Sequence, residues 1–151
     1  NWNPLKYLHL AIKLKKEGWE VSFIVSPQER KEWLHVLNQG FLLPKFTNLQ
    51  EIAEYLYESA FLIGNDSGIG HLASNLKIPT LTISGNPKRV RLWRPDFFLG
   101  NIVTISFPLP NFKGIHFRFR EKYWHHFISV SQICKAFHQL VKKYESSSCQ
   151  C

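Results

Sequence analysis

Short apolar runs that alternate with capped amphipathic stretches leave this chain few folds. Val21-Ser22-Phe23-Ile24-Val25, Phe61-Leu62-Ile63-Gly64, Thr80-Leu81-Thr82-Ile83 and Ile102–Ser106 are short and rich in apolar or β-branched residues, as strands buried on both faces are. Helical patterns lie between them. Asn3 can cap a first helix, with Pro4 at its first position, Leu5, Leu8, Ala11 and Ile12 on one face, and Gly18 just past its end. Ser26 and Glu29 have the spacing of a capping box and open a second helix that Gly40 ends. Asn48 and Glu51 repeat that spacing ahead of Ile52, Tyr55 and Leu56. A helix from about Ile69 to Leu76 follows. Ser129 and Gln132 open a last one, apolar at Val130, Ile133, Phe137, Leu140 and Tyr144. Strands and helices alternating in this way imply right-handed βαβ units. The expected fold class is α/β, a Rossmann-like parallel sheet flanked by helices. One domain is expected over residues 1–145, with a disordered polar tail at 146–151.

Sheets of this kind bind ligands at the carboxyl ends of their strands, beside helix amino termini. One segment has the composition for that. Phe61-Leu62-Ile63-Gly64-Asn65-Asp66-Ser67-Gly68-Ile69-Gly70-His71-Leu72-Ala73 reads as strand, polar turn and helix. Its glycines allow close approach of a ligand to the backbone. Unpaired N–H groups from Ser67 to Gly70, added to the helix dipole, suit a diphosphate. Ser67 adds a hydroxyl donor, His71 lies one helical turn on, and Asp66 can accept hydrogen bonds from sugar hydroxyls. The plainer reading is that Asp66 or Ser67 caps the helix, which is the commoner use of such residues.

Charge points the same way without choosing a ligand. The formal net charge of +8 favours anionic partners. Three cysteines, Cys134 in a helical pattern and Cys149 and Cys151 in the tail, make no disulfide framework and no paired C-x-x-C metal site. No metal is expected, and a reducing, cytoplasmic setting fits best.

The segment Asn65-Asp66-Ser67-Gly68-Ile69-Gly70-His71-Leu72-Ala73 resembles the D-[ST]-G-x-x-H-[LI]-A signature of glycosyltransferase family 9, the lipopolysaccharide heptosyltransferases. The likeness extends to Leu49–Ala53, to Pro79–Gly85, to Trp93-Arg94-Pro95, to the first helix from Trp2 and to Ile128-Ser129-Val130. The resemblance implies one half of a GT-B enzyme, the carboxyl-terminal domain that binds the donor. That donor would be ADP-heptose or another nucleotide sugar, and transfer would be inverting, with neither metal nor cofactor. Asp66 would bind the donor sugar and Ser67 and Gly68 the diphosphate, with His71 close by. Thr47 would fall near the adenine and Glu29 near the ribose, both by looser alignment. The acceptor would be an anionic glycolipid of the lipopolysaccharide core. The catalytic base would come from an amino-terminal domain of the same enzyme, so this chain alone is expected to be inactive. Localisation would be cytoplasmic, with peripheral contact at the inner face of the bacterial inner membrane.

The chain departs from the family pattern at its start, where the domain's first strand has no counterpart. That strand would lie mid-sheet, and its loss should leave an apolar groove and two unpaired strand edges. Two rival readings follow from other features. Lys113, Arg118, Arg120 and Lys122 interleave with Phe112, Phe117, Phe119, Tyr123 and Trp124, a pattern that can stack on single-stranded bases. No RNA- or DNA-binding motif accompanies it, and nucleic acid is not the expected partner. A long surface loop over Pro108–Trp124 is expected instead. Lys88, Arg89, Arg91 and Arg94 suit either a solvated face or an anionic acceptor. The other rival is a degenerate remnant that binds nothing.

Overall fold

The computed structural model describes residues 2–85, 98–104 and 126–148. The expected loop at Pro108–Trp124, the basic cluster at Lys88–Arg94 and Trp93-Arg94-Pro95 lie outside the described residues.

Helix α1 (Pro4–Lys16) forms as its sequence dictates. The Asn3 side chain accepts from the backbone N–H of Leu5 at 2.8 Å, and Pro4 loses nothing by lacking an N–H in the first turn. Lys13, Lys15 and Lys16 in the last turn complement the negative end of the helix dipole. Gly18 takes the left-handed conformation (φ +93°), which lets the Trp19 N–H reach back to Leu14 O at 3.1 Å and close the helix. Leu8, Leu10, Ala11 and Leu14 are buried.

Val21–Val25 is extended but not a strand. It carries a single parallel bridge, Ser22 to Leu42, with the Phe23 N–H donating to Leu42 O at 2.9 Å. Its side chains still alternate. Val21, Phe23 and Val25 pack with Leu8, Ala11, Val36 and Phe41, while Ile24 packs with Leu56, Ala73 and Ile78. The apolar pattern thus reported contact with the core but neither pairing nor full burial, since all five residues are half-buried. The partner run Phe41-Leu42-Leu43 ends at once on Pro44, which has no N–H to extend a ladder.

The second helix also differs from expectation. The Ser26–Glu29 box forms, with the Ser26 hydroxyl donating to the Glu29 carboxylate at 2.6 Å. Helical structure begins only at α2 (Arg30–Trp33) and tightens into a 3-10 turn over Leu34–Gln39. Arg30 is held at its guanidinium by the carbonyls of Pro44 and Leu43, both at 2.8 Å. Gly40 ends the turn at φ +72°.

Helix α3 (Leu49–Tyr57) leads into a parallel sheet of β1 (Leu62–Asn65), β2 (Thr80–Ser84) and β3 (Gly100–Thr104), in the order β1-β2-β3. Leu62 sits beside Thr80 and Thr80 beside Gly100, so the strands start level. β3 begins earlier than the sequence suggested, and Ser106 lies outside the described residues. Central β2 is the most buried strand, with Leu81 and Ile83 at 1% and 0% exposure. Helix α4 (Gly68–Asn75) crosses from β1 to β2.

The last helix, α5 (Val130–Ser148), packs on α1, β2 and β3. Its Ser129–Gln132 box forms as read. The helix runs through Ser148, past the expected domain end at 145, and the Ser146 and Ser147 hydroxyls bond back to Lys143 O. Residues 149–151 lie outside the described residues. The main core joins both layers: Trp2, Leu10 and Leu14 meet Leu81 and Ile83, and Ile133, Phe137 and Leu140 cover them. The structure is thus a Rossmann-like parallel sheet with helices against it. Among the described residues, no helix is long and apolar enough to cross a membrane.

Candidate functional site

At the carboxyl end of β1 the chain turns through Asp66 and Ser67 into α4. Ser67 occupies the N-cap position in extended conformation (φ −151°, ψ 163°), yet its side chain makes no capping bond. The short α2 also lacks a side-chain capping bond at its N-cap, Glu29, but the helices of eight or more residues other than α4 are capped. Asn3 caps α1, Asn48 caps α3 and Ser129 caps the start of α5. The first intrahelical bond of α4 runs from the His71 N–H to Ser67 O at 3.2 Å. The N–H groups of Gly68, Ile69 and Gly70 therefore have no acceptor within their own helix. Ser67 and Gly68 are both exposed. The turn thus offers backbone donors, a free-swinging hydroxyl and the positive end of a helix dipole, the combination that holds a phosphate group.

Space is left for such a group. A Cβ built on Gly64 or Gly68 would meet no described atom within 4 Å, and one on Gly70 would approach only Asn65 O, at 3.8 Å. None of the three has a positive φ. Neither backbone conformation nor packing among the described residues requires glycine at 64 or 68.

Asp66 and His71 flank the turn. Their nearest atoms, Oδ1 and Nε2, are 3.9 Å apart, a loose ion pair when the imidazole is protonated, with side chains 29% and 41% exposed. The Asp66 carboxylate has no hydrogen-bond donor among the described residues. The capping reading of Asp66 and Ser67 therefore fails on geometry, and both exposed residues keep side-chain oxygens without a hydrogen-bond partner among the described residues.

Thr47 and Glu29 are placed differently. Thr47 donates its N–H to Glu51 at 2.7 Å and its hydroxyl to the same carboxylate. These bonds, the side-chain one foremost, hold the Glu51 carboxyl below its ordinary range. Glu29 accepts from the Ser26 hydroxyl. No hydrogen bond or ion pair among the described residues joins either side chain to Asp66–His71. Asp66, Ser67, Gly68 and His71 come together, and Thr47 and Glu29 have local partners instead.

Sequence reasoning missed the role of Asn65. Its Oδ1 accepts from the Trp2 backbone N–H at 2.9 Å. Trp2, 1% exposed, donates its indole N–H to Ile128 O at 3.0 Å. The starts of α1 and α5 are thereby tied to the turn. Nothing local in sequence signals bonds that span 63 and 126 residues. A second group was also missed. Glu17, Cys134 and His138 bring one carboxylate oxygen, one thiol and one imidazole nitrogen within 4.8 Å of one another.

Residues 1–100 match the family profile of glycosyltransferase family 9 (heptosyltransferase). A crystal structure of a glycosyl transferase family 9 protein from Veillonella parvula DSM 2008 superposes with a TM-score of 0.72 at 20% sequence identity. The superposition covers 95% of this chain and 42% of that one, so the chain spans less than half the length of its structural neighbour. At that identity the likeness shows the fold. No match was found among curated proteins.

Proposed function

The chain belongs to glycosyltransferase family 9, and from that membership we propose that its Asp66–His71 turn holds the diphosphate of a nucleotide-sugar donor in an inverting transfer. The supporting observation is the uncapped start of α4, where Ser67 leaves its own hydroxyl and the first-turn N–H groups unused. On this reading the Gly68, Ile69 and Gly70 amides and the Ser67 hydroxyl bind the diphosphate. Asp66 accepts from hydroxyls of the donor sugar, and His71, beside it, reaches the phosphate or the same sugar. Thr47 and Glu29 would join in only by exchanging their bonds to Glu51 and Ser26 for bonds to the nucleoside.

The chemistry follows from that placement. An acceptor hydroxyl attacks the anomeric carbon as the bond to the diphosphate breaks. Negative charge then grows on the departing phosphate oxygen. Donors already aimed at that oxygen stabilise the charge without having to reorganise. The acceptor hydroxyl must also lose a proton to a base. We assign that base to an amino-terminal domain of the same enzyme, and with it the binding of an anionic glycolipid acceptor. The donor is then ADP-heptose or a related nucleotide sugar. Transfer proceeds in the cytoplasm, beside the inner membrane where such a lipid would lie.

Thermal unfolding with and without ADP and ADP-heptose tests the reading. A ligand at about 100 times its dissociation constant stabilises the folded state by roughly 2.7 kcal/mol. The expected result is a rise in Tm for the wild-type chain that shrinks in Asp66→Ala for the sugar nucleotide more than for ADP. No rise in a folded chain, or salt-sensitive oligonucleotide binding indifferent to Asp66, would overturn the proposal.

A further inference from the structure

Glu17 lies just past the end of α1, and Cys134 and His138 lie four residues apart on α5. That spacing puts both side chains on one helix face. His138 Nε2 is 2.8 Å from Glu17 Oε2, and the Cys134 thiol donates toward Glu17 Oε1 at 3.9 Å. All three ligand atoms fall within 4.8 Å of one another. In a tetrahedral zinc site, metal–ligand bonds of about 2.0–2.3 Å set the ligand atoms roughly 3.3–3.6 Å apart. The observed spacings straddle that range. Glu17 and His138 have side chains 31% and 46% exposed and can turn to meet it, while buried Cys134 fixes the third corner.

We propose that Glu17, Cys134 and His138 form a binding site for a zinc-class divalent cation that clamps the end of α1 to α5. Thiolate, imidazole and carboxylate together are a borderline-soft donor set that favours zinc over magnesium or calcium. With the thiol deprotonated, thiolate and carboxylate balance the charge of the ion. Lys13, Lys135 and Lys142 line the depression over Cys134 and His138. The fourth position is open to water from that depression. The site is remote from the proposed donor turn. Trp2, at the start of α1, touches Asn65, whereas Glu17 lies at the far end of a 13-residue helix, about 20 Å away at 1.5 Å per residue. The clamp is structural and has no part in the transfer.

Cobalt(II) reports on such a site, because a thiolate bound to it gives a near-ultraviolet charge-transfer band. The chain would carry Cys149→Ser and Cys151→Ser, with a non-thiol reductant, so that Cys134 is the sole thiol. Titration should develop the band to one cobalt per chain, and added zinc should abolish it. His138→Ala and Glu17→Gln should each weaken cobalt binding about ten-fold or more while far-ultraviolet circular dichroism stays unchanged. Zinc should raise the Tm of the parent chain and not of these variants. Absence of the band in a folded chain overturns the proposal. So does a band that either variant leaves unchanged, or one that saturates at half a cobalt per chain and so reports a thiolate bridge between molecules. None of these readouts involves nucleotide, so the clamp and the donor site stand or fall separately.

Discussion

Ser67 and Asn48 occupy equivalent positions at the starts of α4 and α3, but only Asn48 bonds its helix, to the Glu51 N–H at 2.9 Å. Removing a working cap costs about 1 kcal/mol. Asn48→Ala should therefore lower stability by about that amount in urea unfolding, and Ser67→Ala by less than about 0.5 kcal/mol. Gly68→Ala should go further and stabilise the chain by roughly 0.4–1 kcal/mol, since the methyl meets open space and restricts the unfolded chain. The same methyl should weaken ADP binding, because it fills the space that a phosphate would use. Stabilisation with unchanged ADP binding would argue against a phosphate at that turn. Much of this turn was legible in sequence: the strand, the turn, and Asp66, Ser67, Gly68 and His71 side by side. Its lack of a cap was not, because a serine before a helix reads the same whether or not its hydroxyl turns inward. Glu17 and Cys134 were illegible for a different reason, standing 117 residues apart.

Helix ends carried stronger signals than strands. α1 and α4 close with the same pair of bonds. In α4 the Ile78 N–H reaches Ala73 O at 2.9 Å and the Lys77 N–H reaches Ser74 O at 3.1 Å. Where α1 has Gly18 at the left-handed position, α4 has Lys77 at φ 61°. A lysine there gives no sequence signal of the motif, and it carries strain of about 1 kcal/mol that glycine would relieve. Lys77→Gly should thus raise the urea midpoint with an unchanged m-value, although glycine usually destabilises a helix. Strands depend on neighbours that the sequence does not name. Phe61–Gly64 and Val21–Val25 look alike as apolar runs, yet one gained β2 along its length and the other gained Leu42 alone.

Across the molecule, the alternation of runs and helices was enough to specify a parallel sheet, because each crossover must return over the sheet it leaves. It could not specify which distant residues would fasten the layers. That task falls to Trp2, whose indole packs edge-on to Tyr7 at 4.9 Å while its two N–H groups bond to Asn65 and to Ile128. The turn that begins at Asn65 therefore shares its opening free energy with the first turns of α1 and α5. A nucleotide that holds this turn closed should also slow amide hydrogen exchange at the starts of both helices, far beyond its own contacts. Trp2→Phe keeps the backbone bond to Asn65 and loses the indole bond to Ile128 O, which still accepts from Lys6 Nζ at 2.8 Å, so in that variant the slowing should persist at α1 and shrink at α5. One buried indole would then share with the Lys6 ammonium the task of carrying an occupied site's effect across the molecule.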